Sequence, residues 1–190
     1  FFLHAFNRED EGVYSTAFLI NKLPGMLDNS HLVTANYNIL DELGSLYENI
    51  LAINVKDDFK EQSNWHEVFL DKIQPFPSED SKGVSYAISL NFKNIDRKFN
   101  HLEITWNPGT RIPGEKYYMI GNPEGFLGVI TELTYLRKEN FSTDVYQGIA
   151  KPGTSGAPII NEKGRVVGMV TASNVTNNEV YSLPLYLFPK

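Results

Sequence analysis

An all-β chain made of two packed six-stranded antiparallel barrels is predicted by three observations. Short β-branched and aromatic runs recur between turn residues, one polar stretch divides them into two sets, and only one segment reads as a helix of any length. The first set covers 13–20, 31–34, 50–55, 68–73 and 85–92. β-branched and aromatic side chains of this kind suit a pleated, half-buried surface. Residues 41–49 form the one weak helical pattern. The polar stretch 93–113 carries turn punctuation at Trp106-Asn107-Pro108-Gly109 and ends at Pro113-Gly114, so it is expected to link two halves. The second set covers 116–120, 128–135, 142–145, 158–161, 166–171 and 179–185, with Asn161-Glu162-Lys163-Gly164 as a hairpin turn. The expected organisation is therefore an N-terminal barrel over 1–92, a linker over 93–113 and a C-terminal barrel over 114–190.

Composition bounds the function. With 190 residues, 42% hydrophobic and 13% aromatic, the chain can bury one full core or two small ones packed together. No apolar run is long enough for a membrane-spanning helix, since Phe1-Phe2-Leu3 breaks at His4. A net charge of −6 argues against nucleic acid, because phosphate binding needs clustered Lys and Arg. Zero cysteines exclude a disulfide framework, a zinc knuckle and a thiol nucleophile, and neither a metal nor a cofactor is expected. The run Arg8-Glu9-Asp10-Glu11 reads as a solvated turn. A start at Phe1 rather than Met is compatible with a removed leader or upstream domain, as in a processed secreted or periplasmic-type domain, and does not give the compartment.

Chemistry concentrates in Lys151-Pro152-Gly153-Thr154-Ser155-Gly156-Ala157-Pro158. The nucleophile elbow of α/β-hydrolases needs Gly-x-Ser-x-Gly between a strand and a helix. Here Gly153-Thr154-Ser155-Gly156 runs into Ala-Pro and a strand, which excludes that elbow. The glycines instead allow a tight backbone loop in which the amides of Gly153 and Ser155 point at one spot, as an oxyanion hole requires.

Around this loop the chain resembles the trypsin-like serine proteases, and within them the HtrA/Deg branch. The likeness runs through Gly114-Glu115-Lys116-Tyr117-Tyr118-Met119-Ile120-Gly121-Asn122-Pro123-Glu124-Gly125, then Gly128-Val129-Ile130-Thr131, Ser142-Thr143-Asp144, the Ser155 loop and the strand to Thr171. The first half resembles the family more thinly, through Ser15-Thr16-Ala17-Phe18-Leu19-Ile20 and His31-Leu32-Val33-Thr34-Ala35. The resemblance implies Ser155 as nucleophile, but Tyr37 stands where it places the histidine base and Ser85 where it places the aspartate. By the same resemblance, Ile149, Ala150, Val180, Tyr181 and Ser182 would wall an apolar substrate pocket. An exposed edge at Val180 to Ser182 could add a peptide strand.

A serine triad needs a nearly neutral base and an acid that orients it. The Tyr37 phenol has a reference pKa of about 10 and would sooner donate to Ser155 than accept its proton. His31 lies six residues upstream on the same strand, about 20 Å away if extended. His66 reads as a half-exposed strand residue, and His4 and His101 as surface residues. Asp80 could be a displaced acid. Lys151 could be a base in principle and is expected to face outward. The expectation is therefore a catalytically impaired protease homologue, a pseudoprotease, binding a peptide or protein partner. The alternatives are an active serine endopeptidase with a non-standard base and a structural module of a larger protein.

Overall fold

The computed structural model describes residues 1–8, 11–20, 31–40, 45–75, 86–92, 100–105, 109–140 and 142–185. Its first half contains β1 (Phe2–Phe6), β2 (Gly12–Thr16), β3 (Phe18–Ile20), β4 (His31–Ala35), β5 (Asn49–Ile53), β6 (Trp65–Pro75) and β7 (Tyr86–Phe92). These strands pair in the order β2-β1-β5-β6-β7-β4-β3. The two ends of that sheet, β2 and β3, are one run of chain joined through Ala17, so the sheet closes on itself. Counting β2 and β3 as one bent strand gives six, as the sequence predicts.

The second half contains β8 (Lys116–Gly121), β9 (Val129–Asn140), β10 (Thr143–Gln147), β11 (Pro158–Ile160), β12 (Val166–Asn174) and β13 (Glu179–Pro184). They form a closed barrel in the order β10-β13-β12-β11-β8-β9, and all its ladders are antiparallel. The turn before β12 is built as its sequence demands. Gly164 sits at φ 72°, and the Asn161 side-chain oxygen accepts from the amides of Lys163 and Arg165.

Two local expectations need correction, and one strand was not anticipated. Within 41–49 the described residues are not helical: Leu46 bridges back to Leu40 and Asn49 already opens β5. Apolar spacing there serves the first barrel's core, to which Leu40 and Tyr47 are packed. The N-terminal apolar run, broken by His4, is a full strand, β1, because both its neighbours β2 and β5 supply hydrogen bonds. The edge expected at Val180 to Ser182 does not exist, since β13 is paired on one side with β10 and on the other with β12. Barrel closure removes it.

Strand alternation sorts side chains between cores. Leu19 and Leu32 point into the first barrel with Leu3, Ile50 and Val68. Their sequence neighbours Phe18, Ile20 and Val33 face the other way and meet Val166, Met169 and Leu183 of the second barrel. That shared layer holds the barrels together. Residues of the polar stretch add to it: the Leu102 amide donates to Leu19 O at 2.7 Å, and the Thr105 amide to Val166 O at 2.8 Å.

The second barrel encloses a charge. Arg111 and Asp144 form an ion pair with side chains 4% and 1% exposed. The Arg111 guanidinium also donates to Tyr146 Oη at 2.5 Å and Val167 O at 3.0 Å, and lies 5.8 Å and 5.9 Å from the ring centres of Tyr117 and Tyr135. Burial raises the Asp144 carboxyl against the pull of Arg111. Asp144 is thus committed to the barrel interior.

Candidate functional site

The Ser155 loop is folded by its glycines. Gly153 and Gly156 have φ of 94° and 81°, conformations costly for a residue with a Cβ. Space forbids a Cβ as well: at Gly156 it would lie 2.2 Å from Thr16 O, and at Gly153 2.4 Å from Asn122 O. The loop is stapled to the first barrel. Ser155 O accepts from the Thr16 amide and from Asn38 Nδ2, both at 3.0 Å, and Gly153 O accepts from Thr16 Oγ1 at 2.7 Å. Asn38 Nδ2 also donates to Thr34 Oγ1 at 2.8 Å, which in turn donates to Thr16 O at 2.8 Å. Asn122 completes the net by donating to Thr16 Oγ1 through its amide at 3.0 Å and its side chain at 3.1 Å. Thr16, Thr34, Asn38 and Asn122 are buried and Gly153 and Ser155 partly so, and an unmet polar group in the interior costs about 1–3 kcal/mol.

The amides of Gly153 and Ser155, expected as oxyanion donors, lie in a loop that a further hydrogen bond holds. Pro152 O accepts from the Glu124 amide at 2.7 Å, which fixes the peptide that carries the Gly153 N–H. Among the described residues, no protein group accepts a hydrogen bond from the Gly153 or Ser155 amide.

Tyr37 comes to Ser155 by way of the short 3-10 turn Asn36–Asn38 that ends β4. Its hydroxyl donates to Thr171 O on β12, with the Ser155 side chain near enough to act on its titration. Burial of the hydroxyl raises its pKa, and the serine contact lowers it by less. The phenol proton is therefore directed at the Thr171 carbonyl rather than at Ser155, contrary to the sequence expectation. A neutral phenol so engaged cannot remove the serine proton. Ser85 and Asp80 lie outside the described residues. The register does bring Ala87 opposite Ala35, two residues before Tyr37.

Other candidate bases are elsewhere. Lys151 is exposed, and its Nζ pairs with Glu124 Oε2 at 2.9 Å. His4 stacks on Phe6 and Tyr14, His66 sits on β6 opposite Ala52, and His31 on β4 opposite Ile20. Of the residues expected to wall a pocket, Ala150 and Val180 pack in the second barrel's core and Ser182 is fully buried. Tyr181 turns its hydroxyl to Glu179 at 2.9 Å, and Ile149 is 60% exposed.

This geometry can be set beside known structures. No family profile and no curated protein sequence matches the chain. Solved structures do. The active form of the Rv3671c protease from M. tuberculosis aligns at a TM-score of 0.66 and 15% identity, covering 96% of this chain and 74% of that one. A serine endoprotease from Yersinia pestis gives 0.64 and 17% over 98% of this chain and 59% of its own. A human heparin binding protein gives 0.67 and 13% over 99% and 87%. The chain has the trypsin-like two-barrel fold.

Within the trypsin-like fold, the cleft between the barrels is where Tyr37 of the first meets Ser155 and Thr171 of the second. Sequence reasoning missed Thr16, Thr34, Asn38, Asn122 and the Thr171 carbonyl. A signal was present for two of them. Thr16 and Thr34 interrupt apolar strand faces at positions that alternation assigns to the interior, and a polar residue there requires a partner. Asn38 and Asn122 act through backbone groups distant in sequence, which no local pattern marks. Among the described residues no group of three or more His, Asp or Glu could hold a metal ion, and no helix is long and apolar enough to cross a membrane.

Proposed function

We propose that this chain is a catalytically impaired trypsin-like protease homologue, of the HtrA-like type, that binds a peptide or protein partner. The observation that carries the reading is the Tyr37 hydroxyl beside Ser155, with its proton directed to Thr171 O and its pKa raised by burial. Loss of the histidine base alone costs about a million-fold in turnover in a serine hydrolase, leaving what the oxyanion hole and binding provide. The HtrA-like assignment rests on the run of motifs from Gly114 to Thr171.

Peptide binding is supported by the strand edge that remains open. β12 pairs with β11 only as far as Met169, and Val170 with the backbone of Gly156 and Ala157. Beyond that, among the described residues β12 pairs with β13 alone, and Ala172 and Ser173 are exposed. An extended peptide can add there, next to Ser155. A polyanion such as the ligand named for the heparin binding protein does not suit a chain of net charge −6.

A second reading, an active endopeptidase with a non-standard base, draws on the amides of Gly153 and Ser155, from which no described protein group accepts a hydrogen bond. A fluorophosphonate probe separates the two, because it reacts only with an activated serine. The expected result is no labelling at neutral pH. Labelling that disappears in Ser155→Ala would overturn the impaired reading.

A further inference from the structure

A concave site of about 460 Å³ opens beside the Ser155 loop, on the side of Pro152 and Gly153. Its walls come from four places in the chain: Phe2 on β1, Tyr14 on β2, Phe59 in the loop before β6, and Glu124 in the turn after β8. We propose that this pocket receives an aromatic or large aliphatic side chain of an extended peptide lying across Ser155. The inference rests on the peptide-binding reading above and adds which side chain the site selects.

Three observations carry it. The walls are aromatic and preassembled: the Phe2 and Tyr14 rings stack at 5.3 Å with 19° between planes, and Phe59 meets Phe2 edge-on at 5.7 Å. Trp65 supports Phe59 from behind at 5.1 Å, and its indole N–H donates to Phe59 O at 3.1 Å. Yet Tyr14 is 54% and Phe59 46% exposed, so a large apolar surface faces solvent on an ordered frame. Rigid aromatic surface of this kind binds at low entropic cost.

The second observation is charge. The one carboxylate on the wall, Glu124, is paired with Lys151 at 2.9 Å. Its negative charge is already met, so the pocket has no net attraction for a cationic side chain and an apolar one fits better.

The third is continuity with the oxyanion loop. Glu124 adopts φ 52°, unusual for a residue with a side chain, and in that conformation its amide holds Pro152 O at 2.7 Å. The same residue therefore walls the pocket and fixes the peptide that presents the Gly153 N–H. A peptide carbonyl held at that amide places a neighbouring side chain against Gly153 and the aromatic walls.

The test uses the whole chain carrying Ser155→Ala, so that cleavage cannot intervene, on an array of extended peptides. Phe, Leu, Arg, Glu and Gly are placed in turn at every peptide position. We expect Phe and Leu to be preferred over Gly about tenfold or more at one position. That preference should vanish in Phe59→Ala and Tyr14→Ala, and survive in Tyr14→Phe, while preferences at other positions persist. Both alanine changes are at half-exposed rings, and unchanged thermal midpoints verify folding. Selection of Arg or Glu at that position, or an aromatic preference indifferent to both alanine changes, overturns the pocket while leaving peptide binding intact. Absence of binding to every peptide overturns both.

Discussion

Removing the buried cation of the second barrel is the sharpest test of how this fold is held. In Arg111→Met the Asp144 carboxylate, 1% exposed, loses its counter-ion, and Tyr146 Oη and Val167 O lose a donor. Methionine retains much of the contact with Tyr117 and Tyr135, so the change isolates the charge. Breaking one side of a buried pair costs about 3–5 kcal/mol. For a chain of this size that lowers the thermal midpoint by about 10 °C. Chemical denaturation of Arg111→Met, Asp144→Asn and the double variant, run as a cycle, measures it. The double variant should recover most of the loss, because no uncompensated charge remains. Acid should also help the single variant. Burial raises the Asp144 carboxyl in the folded state, so its protonated form is favoured by folding. Stability from such a group is present below the unfolded pKa and lost as pH rises through the folded one. The deficit of Arg111→Met should therefore shrink between neutral and mildly acid pH. A cost below about 1 kcal/mol for both single variants would refute the view that this pair is enclosed and coupled.

Further outcomes are expected. Gly156→Ala should destabilise by more than about 3 kcal/mol or abolish folding, since the added Cβ meets Thr16 O at 2.2 Å in a left-handed conformation; denaturation midpoints check it. The double change Tyr37→His with Ser85→Asp should create fluorophosphonate labelling that Ser155→Ala abolishes, and no gain at all would count against these two positions. The Tyr117 phenol is pushed up to about 12 by burial and its bond to Glu115. Its contribution to stability is complete below the unfolded value near 10 and declines towards pH 12, so alkaline unfolding should coincide with a late group of tyrosines in a spectrophotometric titration. Asn38→Ala leaves Ser155 O and Thr34 Oγ1 short of a donor and should cost about 1–2 kcal/mol, read from thermal denaturation.

Much of this was legible in the chain. Strand runs between turn residues located nearly every strand, because alternation of apolar and polar side chains is a local property of the pleat. The Asn161–Gly164 turn and the glycines of the Ser155 loop were equally readable, since both depend on backbone conformations that few residues adopt. The helix expected over 41–49 failed where apolar spacing of Leu40, Leu46 and Tyr47 served barrel packing instead. The free edge at β13 failed because closure of a barrel is a pairing between distant strands, invisible to any window of sequence.

The sequence by itself determined the two-barrel architecture and the loop that carries Ser155, and by resemblance it pointed to Tyr37 at the place of a base. Only the tertiary structure decided what Tyr37 does. A phenol's proton goes to whichever acceptor the fold brings within reach, and here that is the Thr171 carbonyl on a strand of the other barrel. The same holds for the aromatic pocket beside Gly153: Phe2, Tyr14 and Phe59 are unremarkable apart, and become a surface only when β1, β2 and the loop before β6 are packed side by side.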